Sequence, residues 1–410
     1  MVVSRTPSSQ PRSMPQPGQA SAGSHRAGGS NCYHRGHHHL PDNRQSPMSD
    51  TLRQDIEAKL ATIHEPHLDT DLASARTVRS LDIDNGHVTL ELDMGFPCGD
   101  HGQRLAEQVQ TALQSIDGVT QADVTVGFSV AARAVQPSIK RIDGVANIIA
   151  VASAKGGVGK STVAANLALA LKADGANVGL LDADIYGPSQ PRLMGMDAKA
   201  KAAGENTLLP VEAHGIQTMS IGYLIDKDSP AILRGPMVTS ALQQMLFQSA
   251  WADLDYLVID LPPGTGDIQL TLAQKIPVSG AVVVTTPQDL SLIDARKGVE
   301  MFKKVNVPVL GIVENMSTHI CSQCGHEEHI FGEYGGQTLA DEYDTTLLGQ
   351  LPLDISIREN ADAGTPSVVA APDSQVAAAY FDIARRTSAR LARQKKDYAS
   401  KFPNIKVEEN

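Results

Sequence analysis

The chain has 410 residues, 41% of them apolar, 4% aromatic and 20% charged, with a formal net charge of −11. That length and apolar share imply two globular domains, while the acidic balance removes any general electrostatic case for nucleic acid or an anionic membrane as partner. Four cysteines are too few for a disulfide scaffold, no stretch reaches the roughly 20 apolar residues of a membrane span, and no secretory signal opens the chain, so a cytoplasmic location is expected.

Residues 1–47 are rich in Ser, Pro, Gly, Gln and His and nearly lack aliphatics, so they cannot bury enough surface to offset ordering entropy and are expected to be disordered. Cys32, His34, His37, His38 and His39 form a tract of the kind that binds metal adventitiously. Met48 opens a more regular sequence, and translation is expected to start there. Leu52, Ile56, Leu60 and Ile63 recur at helical spacing, and residues 78–83 and 88–94 alternate on either side of Asn85-Gly86, a hairpin signal. Leu105, Val109, Leu113 and Ile116 mark a second helix, and Val124, Val126 and Phe128 a last strand. These make a small α+β domain over residues 48–130. Cys98, just before the second helix, has two readings: a small buried apolar residue, or a thiolate acidified by the helix start and able to hold metal or exchange a cluster. Residues 131–147, with Pro137 and Gly144, read as a linker.

The second domain, expected over residues 148–392, begins with a β-branched run, 148–152, then VASAKGGVGKST (151–162), then a continuously helix-favouring stretch. A Gly-rich turn between a strand end and a helix N-terminus is a phosphate cradle: Gly156, Gly157 and Gly159 let backbone N–H groups point inward, Lys160 reaches the β/γ-phosphates and Ser161 ligates Mg²⁺. Ala154, Lys155, Val158 and Thr162 complete the expected ATP loop. Position 154 departs from the strict P-loop pattern, and an alanine there is harmless only if its φ stays negative.

Residues 178–181, 256–259, 281–285, 309–313 and 347–351 read as buried parallel strands, so the fold class is α/β, a doubly wound and mostly parallel sheet with ligands at its carboxyl edge. Asp182 and Asp184 follow one strand, where an acid pair can position water and organise a Mg²⁺ shell. Asp260 ends YLVID in the manner of a Walker B residue, before a loop of Pro262, Pro263, Gly264 and Gly266. Asn315 follows VLGIV, where its amide can pair with a purine edge. Cys321 and Cys324 form a C-x-x-C loop, and spacing alone leaves three options: zinc completed by His326 or His329, a Cys₄ site shared by two chains across a twofold axis, or a redox dithiol. From residue 374 an amphipathic helix carries Val376, Tyr380, Ile383, Ala384, Thr387 and Leu391 on one face; docking on the sheet is expected over a membrane-surface role. Residues 393–410 read as a basic, polar tail.

Together, KGGVGKST with Lys155, DADIYGPS, VIDLPPGTGD, TTPQDLSLIDARKG, ENMS before CSQCG, and IFG closely resemble the Mrp/ApbC family of iron–sulfur cluster carrier ATPases, in the deviant Walker A, MinD/ParA-like class, over residues 49–390. The preceding domain is similar to the small iron–sulfur-assembly domain often fused in front of these ATPases. The resemblance implies a homodimer that hydrolyses ATP and transfers clusters, taken up from an assembly scaffold, to apo iron–sulfur proteins. It further implies that Lys155 reaches the partner subunit's nucleotide, Lys160 binds phosphate, Asp184 orients the attacking water and Asp260 holds the Mg²⁺ shell. Asn315 would contact adenine, and Cys321 and Cys324 would bridge a 4Fe-4S cluster between subunits. Two features depart from the pattern: Ala154 stands where the family has Gly, and residues 1–47 have no counterpart. The rival reading is a MinD/ParA-like positioning ATPase, which leaves the two cysteines idle.

Overall fold

The computed structural model describes residues 47–136, 139–204, 207–225, 235–321 and 323–397. The expected disordered extension with its Cys/His tract, up to residue 46, and residues 398–410 of the expected tail lie outside the described residues. The alternation around Asn85-Gly86 yields β1 (Val78–Asp84) and β2 (His87–Asp93), joined antiparallel through two residues with φ of +50° and +83°, the left-handed pair that a tight hairpin of type I′ requires. Before them runs α1 (Pro47–Leu60); after them α2 (Gly99–Gln114) crosses over so that β3 (Gln121–Gly127) lies parallel to β2. Val88, Leu90 and Leu92 of β2 pack under Leu105, Val109 and Leu113 of α2, so one sheet face and one helix face make the core of this small layer.

The larger sheet has eight strands in the order β6-β7-β5-β8-β4-β9-β10-β11. They are β4 (Val145–Ala152), β5 (Val178–Asp182), β6 (Val211–Ala213), β7 (Ile216–Ser220), β8 (Leu254–Asp260), β9 (Gly280–Thr285), β10 (Val309–Asn315) and β11 (Leu347–Leu351). All neighbours are parallel except the β6–β7 edge pair. The buried residues of β4 split between the two cores, Ile148, Ala150 and Ala152 facing one and Ile149 and Val151 the other, which is why the run lacks polar alternation. Because the chain leaves β4 for β5 on one side and later returns to β9 on the other, the carboxyl end of β4 is a topological switch point, where open α/β sheets bind ligands.

The helices are α3 (Lys160–Ala173), α4 (Gln190–Leu193), α5 (Gly235–Phe247), α6 (Asp267–Lys275), α7 (Asp289–Lys304), α8 (Gly335–Glu342), α9 (Ile355–Asp362), α10 (Ser367–Ala370) and α11 (Gln375–Ala392). The named face of α11 is buried, against α3 and β11. Among the described residues, no helix is long and apolar enough to cross a membrane.

Two stretches differ from their expectation. Residues 145–147 of the supposed linker already belong to β4, where Val145 pairs with Leu254. The first residues of the supposed tail are tied to the linker: Ala134 N donates to Lys395 O at 2.8 Å and Asp397 N to Ala132 O at 2.9 Å. Backbone pairing of this kind leaves no periodic side-chain signal. From the same end of the chain, Arg385 makes a two-point ion pair with Asp174 at 2.7 Å, Arg393 donates to Leu68 O at 2.9 Å, and Ala389 is buried in the small layer's core.

Candidate nucleotide site and cysteine hairpin

Residues 153–159 bridge the end of β4 and the first turn of α3. Gly157 and Gly159 take φ of +85°, a conformation that side chains disfavour. Ala154 is not among the residues with positive φ, so its methyl group does not strain the loop. The loop is fastened from outside. Ser153 Oγ donates to Lys155 O at 2.9 Å, Gly264 N to Ser153 O at 2.9 Å, and Asn315 Nδ2 to Val158 O at 2.8 Å. Val158 is buried, whereas Lys155, Gly156 and Gly157 are exposed. Gly156, Gly157, Gly159, Lys160, Ser161 and Thr162 line a cavity of about 420 Å³ together with Asp184, Ser189, Arg192 and Pro263.

Asp182 and Asp260 are the last residues of neighbouring strands, paired in register and fully buried. Lys160 Nζ, at the start of α3, forms an ion pair with Asp260 Oδ1 and donates to Ser161 Oγ at 3.3 Å. Gln190 Nε2 spans the same ground, donating to Asp260 Oδ2 at 2.9 Å and to Ser161 O at 3.0 Å. Asp182 Oδ2 accepts from Ser189 N and Gln190 N at 3.0 Å and from Ser220 Oγ at 3.1 Å. Burial, followed by the charge of Asp260, pushes the Asp182 carboxyl above the ordinary carboxylate range. Asp184, half-buried on the cavity wall, is also pushed up by its burial. This makes it a better proton acceptor than a solvated aspartate.

Three carboxylates thus stand around Lys160, and two buried oxygens beside them, Ser189 Oγ and Gln190 Oε1, have no hydrogen-bond partner. Hard oxygen donors in charge excess suit Mg²⁺, so Ser161 and Asp260 fit the ion expected of them. The acids, Lys160, Ser161 and the glycine loop were legible in the sequence. Gln190 was missed: it is a neutral residue in a four-residue helix, and only its place just after DADIYGPS could have pointed to it.

Beyond Asn315 the chain turns into a small hairpin, His319–Ile320 against Glu327–Glu328, with the cysteines at its tip. Cys321 N donates to His326 O at 2.9 Å and Gly325 N to Cys321 O at 2.8 Å, the latter glycine taking φ of +70°. Cys321 is half-buried, Cys324 exposed, and both are free thiols. The backbone N–H groups of Gln323 and then Cys324 hold the Cys321 thiol below its ordinary pKa. His329 turns Nδ1 to Ser317 O at 3.2 Å, and among the described residues neither His326 nor His329 joins the cysteines in a three-donor cluster. Cys98 behaves differently: it is 3% exposed, and burial pushes its thiol up to about 11. Of its two readings the buried residue holds, because the start of α2 gives it no exposure and Asp174 adds an opposing negative charge.

Residues 144–388 match the family described as NUBPL iron-transfer P-loop NTPase, and residues 53–126 match the iron–sulfur cluster assembly protein family. The chain is 50% identical over 353 residues, 86% of its length and 96% of the relative's, to an iron–sulfur cluster carrier protein of Salmonella typhimurium. It is 52% identical over 257 residues, 62% of its length and 81% of the relative's, to the iron–sulfur cluster transfer protein NUBPL of Mus musculus. A solved nucleotide-binding protein of Archaeoglobus fulgidus in complex with ADP is 40% identical, covers 55% of this chain and 88% of its own, and superposes with a TM-score of 0.49. With its loop, acids and sheet in this order and more than half its length matched, the chain belongs to the NUBPL iron-transfer P-loop NTPase family.

Proposed function

We propose that the protein is a homodimeric ATPase that holds an iron–sulfur cluster, 4Fe-4S in type, and delivers it to apo iron–sulfur proteins after loading from an assembly scaffold. The observation that carries this reading is the placement of Cys321 and Cys324 on an exposed hairpin only a few residues beyond Asn315, which touches the phosphate loop. A single hairpin offers two thiolates, and a cluster takes four, so a second copy supplies the others. Exposed Ile320 and Ile330, which bracket the cysteines, supply apolar surface for that copy. The named relatives support the cluster as cargo.

In this reading the loop amides and Lys160 hold the β/γ-phosphates, and Ser161 with Asp260 holds Mg²⁺, which when bound neutralises phosphate charge. Lys160 then leaves its ion pair with Asp260 for the phosphate. Asp184 orients the attacking water and accepts its proton. Lys155, exposed on the loop, reaches the partner subunit's nucleotide, and Asn315 offers the amide atoms not given to Val158 to the adenine. The protein works in the cytoplasm without nucleic acid or membrane. The test is reconstitution under anaerobic conditions: Cys321→Ala with Cys324→Ala loses the brown chromophore while ATP binding persists, and a full cluster signal in that double variant overturns the reading.

A further inference from the structure

Where the small layer meets α11, the structure gathers donors that neither the nucleotide site nor the cysteine hairpin uses. Glu65 and His67 lie between α1 and β1, and His101 lies in the first turn of α2. Their donor atoms fall within 4.8 Å of one another. Glu65 Oε1 is 2.8 Å from His67 Nδ1 and 2.7 Å from His101 Nε2, and the two rings meet edge to face with centroids 4.5 Å apart. The side chains of Glu65, His67 and His101 are 0%, 5% and 16% exposed, so the cluster is closed on its inner side and reached past His101.

Two of the donors are also fixed from behind. Glu65 Oε2 accepts the backbone N–H groups of His67 at 2.7 Å and Leu68 at 2.6 Å. His67 Nε2 lies 3.1 Å from Asp382 Oδ1 on α11, and Asp382 accepts from Arg386 at 2.8 Å. An imidazole with one nitrogen at a shared point and the other N–H given to a carboxylate is the arrangement that orients histidine ligands on metals. Without a metal the same groups close a hydrogen-bond network, in which Glu65 Oε1 faces both rings and its other oxygen has two backbone donors. With both imidazoles neutral, the two facing nitrogens and the carboxylate oxygen form a donor set that matches a divalent cation.

We propose that Glu65, His67 and His101 bind a divalent first-row transition metal, zinc being the best suited, at the joint between the small layer and α11. Ligand atoms around tetrahedral zinc stand roughly 3.3 Å apart, so Glu65 Oε1 needs to part from each of the two nitrogens by only about half an ångström to admit it. Through the His67–Asp382 contact the ion would also tie the small layer to α11.

The test uses the full chain carrying Cys321→Ser and Cys324→Ser, so that hairpin thiols take no metal. It is equilibrated with zinc, freed of excess and assayed for bound metal, beside the same chain with His101→Ala and with Glu65→Gln. Each added substitution is expected to remove one zinc equivalent while the far-ultraviolet dichroism stays the same; His34, His37, His38 and His39 give an equal background in all three. With Co²⁺ as probe, the difference spectrum between the parent and the His101→Ala chain should show visible d–d absorption without a thiolate-to-cobalt band. Equal zinc in the three chains, or identical cobalt spectra in the parent and His101→Ala chains, overturns the proposal. The outcome is independent of whether the hairpin cysteines hold a cluster.

Discussion

Replacing the loop glycines one at a time by alanine should separate backbone strain from steric conflict. At Gly159 an alanine would keep a φ of +85° and would place its Cβ 2.2 Å from Asn315 Nδ2. The left-handed backbone costs about 1–2 kcal/mol, and driving the Asn315 amide off the Val158 carbonyl adds about 1–3 kcal/mol for a buried acceptor left unpaired. Gly157 has the same φ but nothing within 4 Å of a new Cβ, so only the strain of about 1–2 kcal/mol applies. Gly156 has neither the φ nor a neighbour, and its alanine variant should fall within about 0.5 kcal/mol of the parent. Urea midpoints at constant slope, taken without nucleotide, measure the series. Asn315→Ala supplies the control, because on that background the Gly159→Ala cost should shrink to the strain alone. If Gly156→Ala is as damaging as Gly159→Ala, or if removing Asn315 leaves the Gly159→Ala cost unchanged, the reasoning fails.

Lys160→Ala should lower ATP turnover by about 10²-fold or more, measured as phosphate release, since it removes the phosphate-binding cation and leaves Asp260 buried without its ion pair. Alkylation at pH 8 followed by peptide mapping should modify Cys321 and Cys324 in the native chain but spare Cys98 until the chain unfolds; with a pKa of about 11 only about one Cys98 thiol in a thousand is ionised at that pH. Arg385→Ala should destabilise the fold by about 3–5 kcal/mol by stranding Asp174. Burial already raises the Asp174 pKa despite Arg385, so in the variant the native state binds more protons than the unfolded one. Its deficit should therefore grow as pH rises above about 4, and urea midpoints that show a constant deficit from pH 4 to 7 would contradict this.

The parts of this protein that were legible in the sequence are those written in local patterns. The loop, four of the five strands expected to be buried and the acids at their ends announce themselves through composition and spacing, because a strand buried on both faces admits only apolar residues until the edge where ligands bind; the fifth, β11, is an edge strand, only partly buried and with Gln350 exposed. The strands β6 and β7, at one side of the sheet, escaped notice because each is short and mixes polar with apolar residues. The cluster of Glu65, His67 and His101 was illegible for another reason: its members come from separate elements, and the Asp382 behind His67 lies 315 residues away. Gln190 and the pairing of residues 132–134 with 395–397 likewise depend on tertiary approach alone. For Cys98, sequence placed the thiol correctly before a helix but could not say that the helix start is covered.

The contribution of α11 to the small layer sets a clock on the ribosome. Ala389 completes that layer's core, and Asp382 and Arg393 hold its first turns, yet all three emerge more than 250 residues after β3. Domains generally fold as they are synthesised, N-terminal first. Here the first layer made cannot close until α11 is released, so nascent chains arrested before residue 375 should leave residues 47–127 open to protease, and the full chain released from the ribosome should protect them.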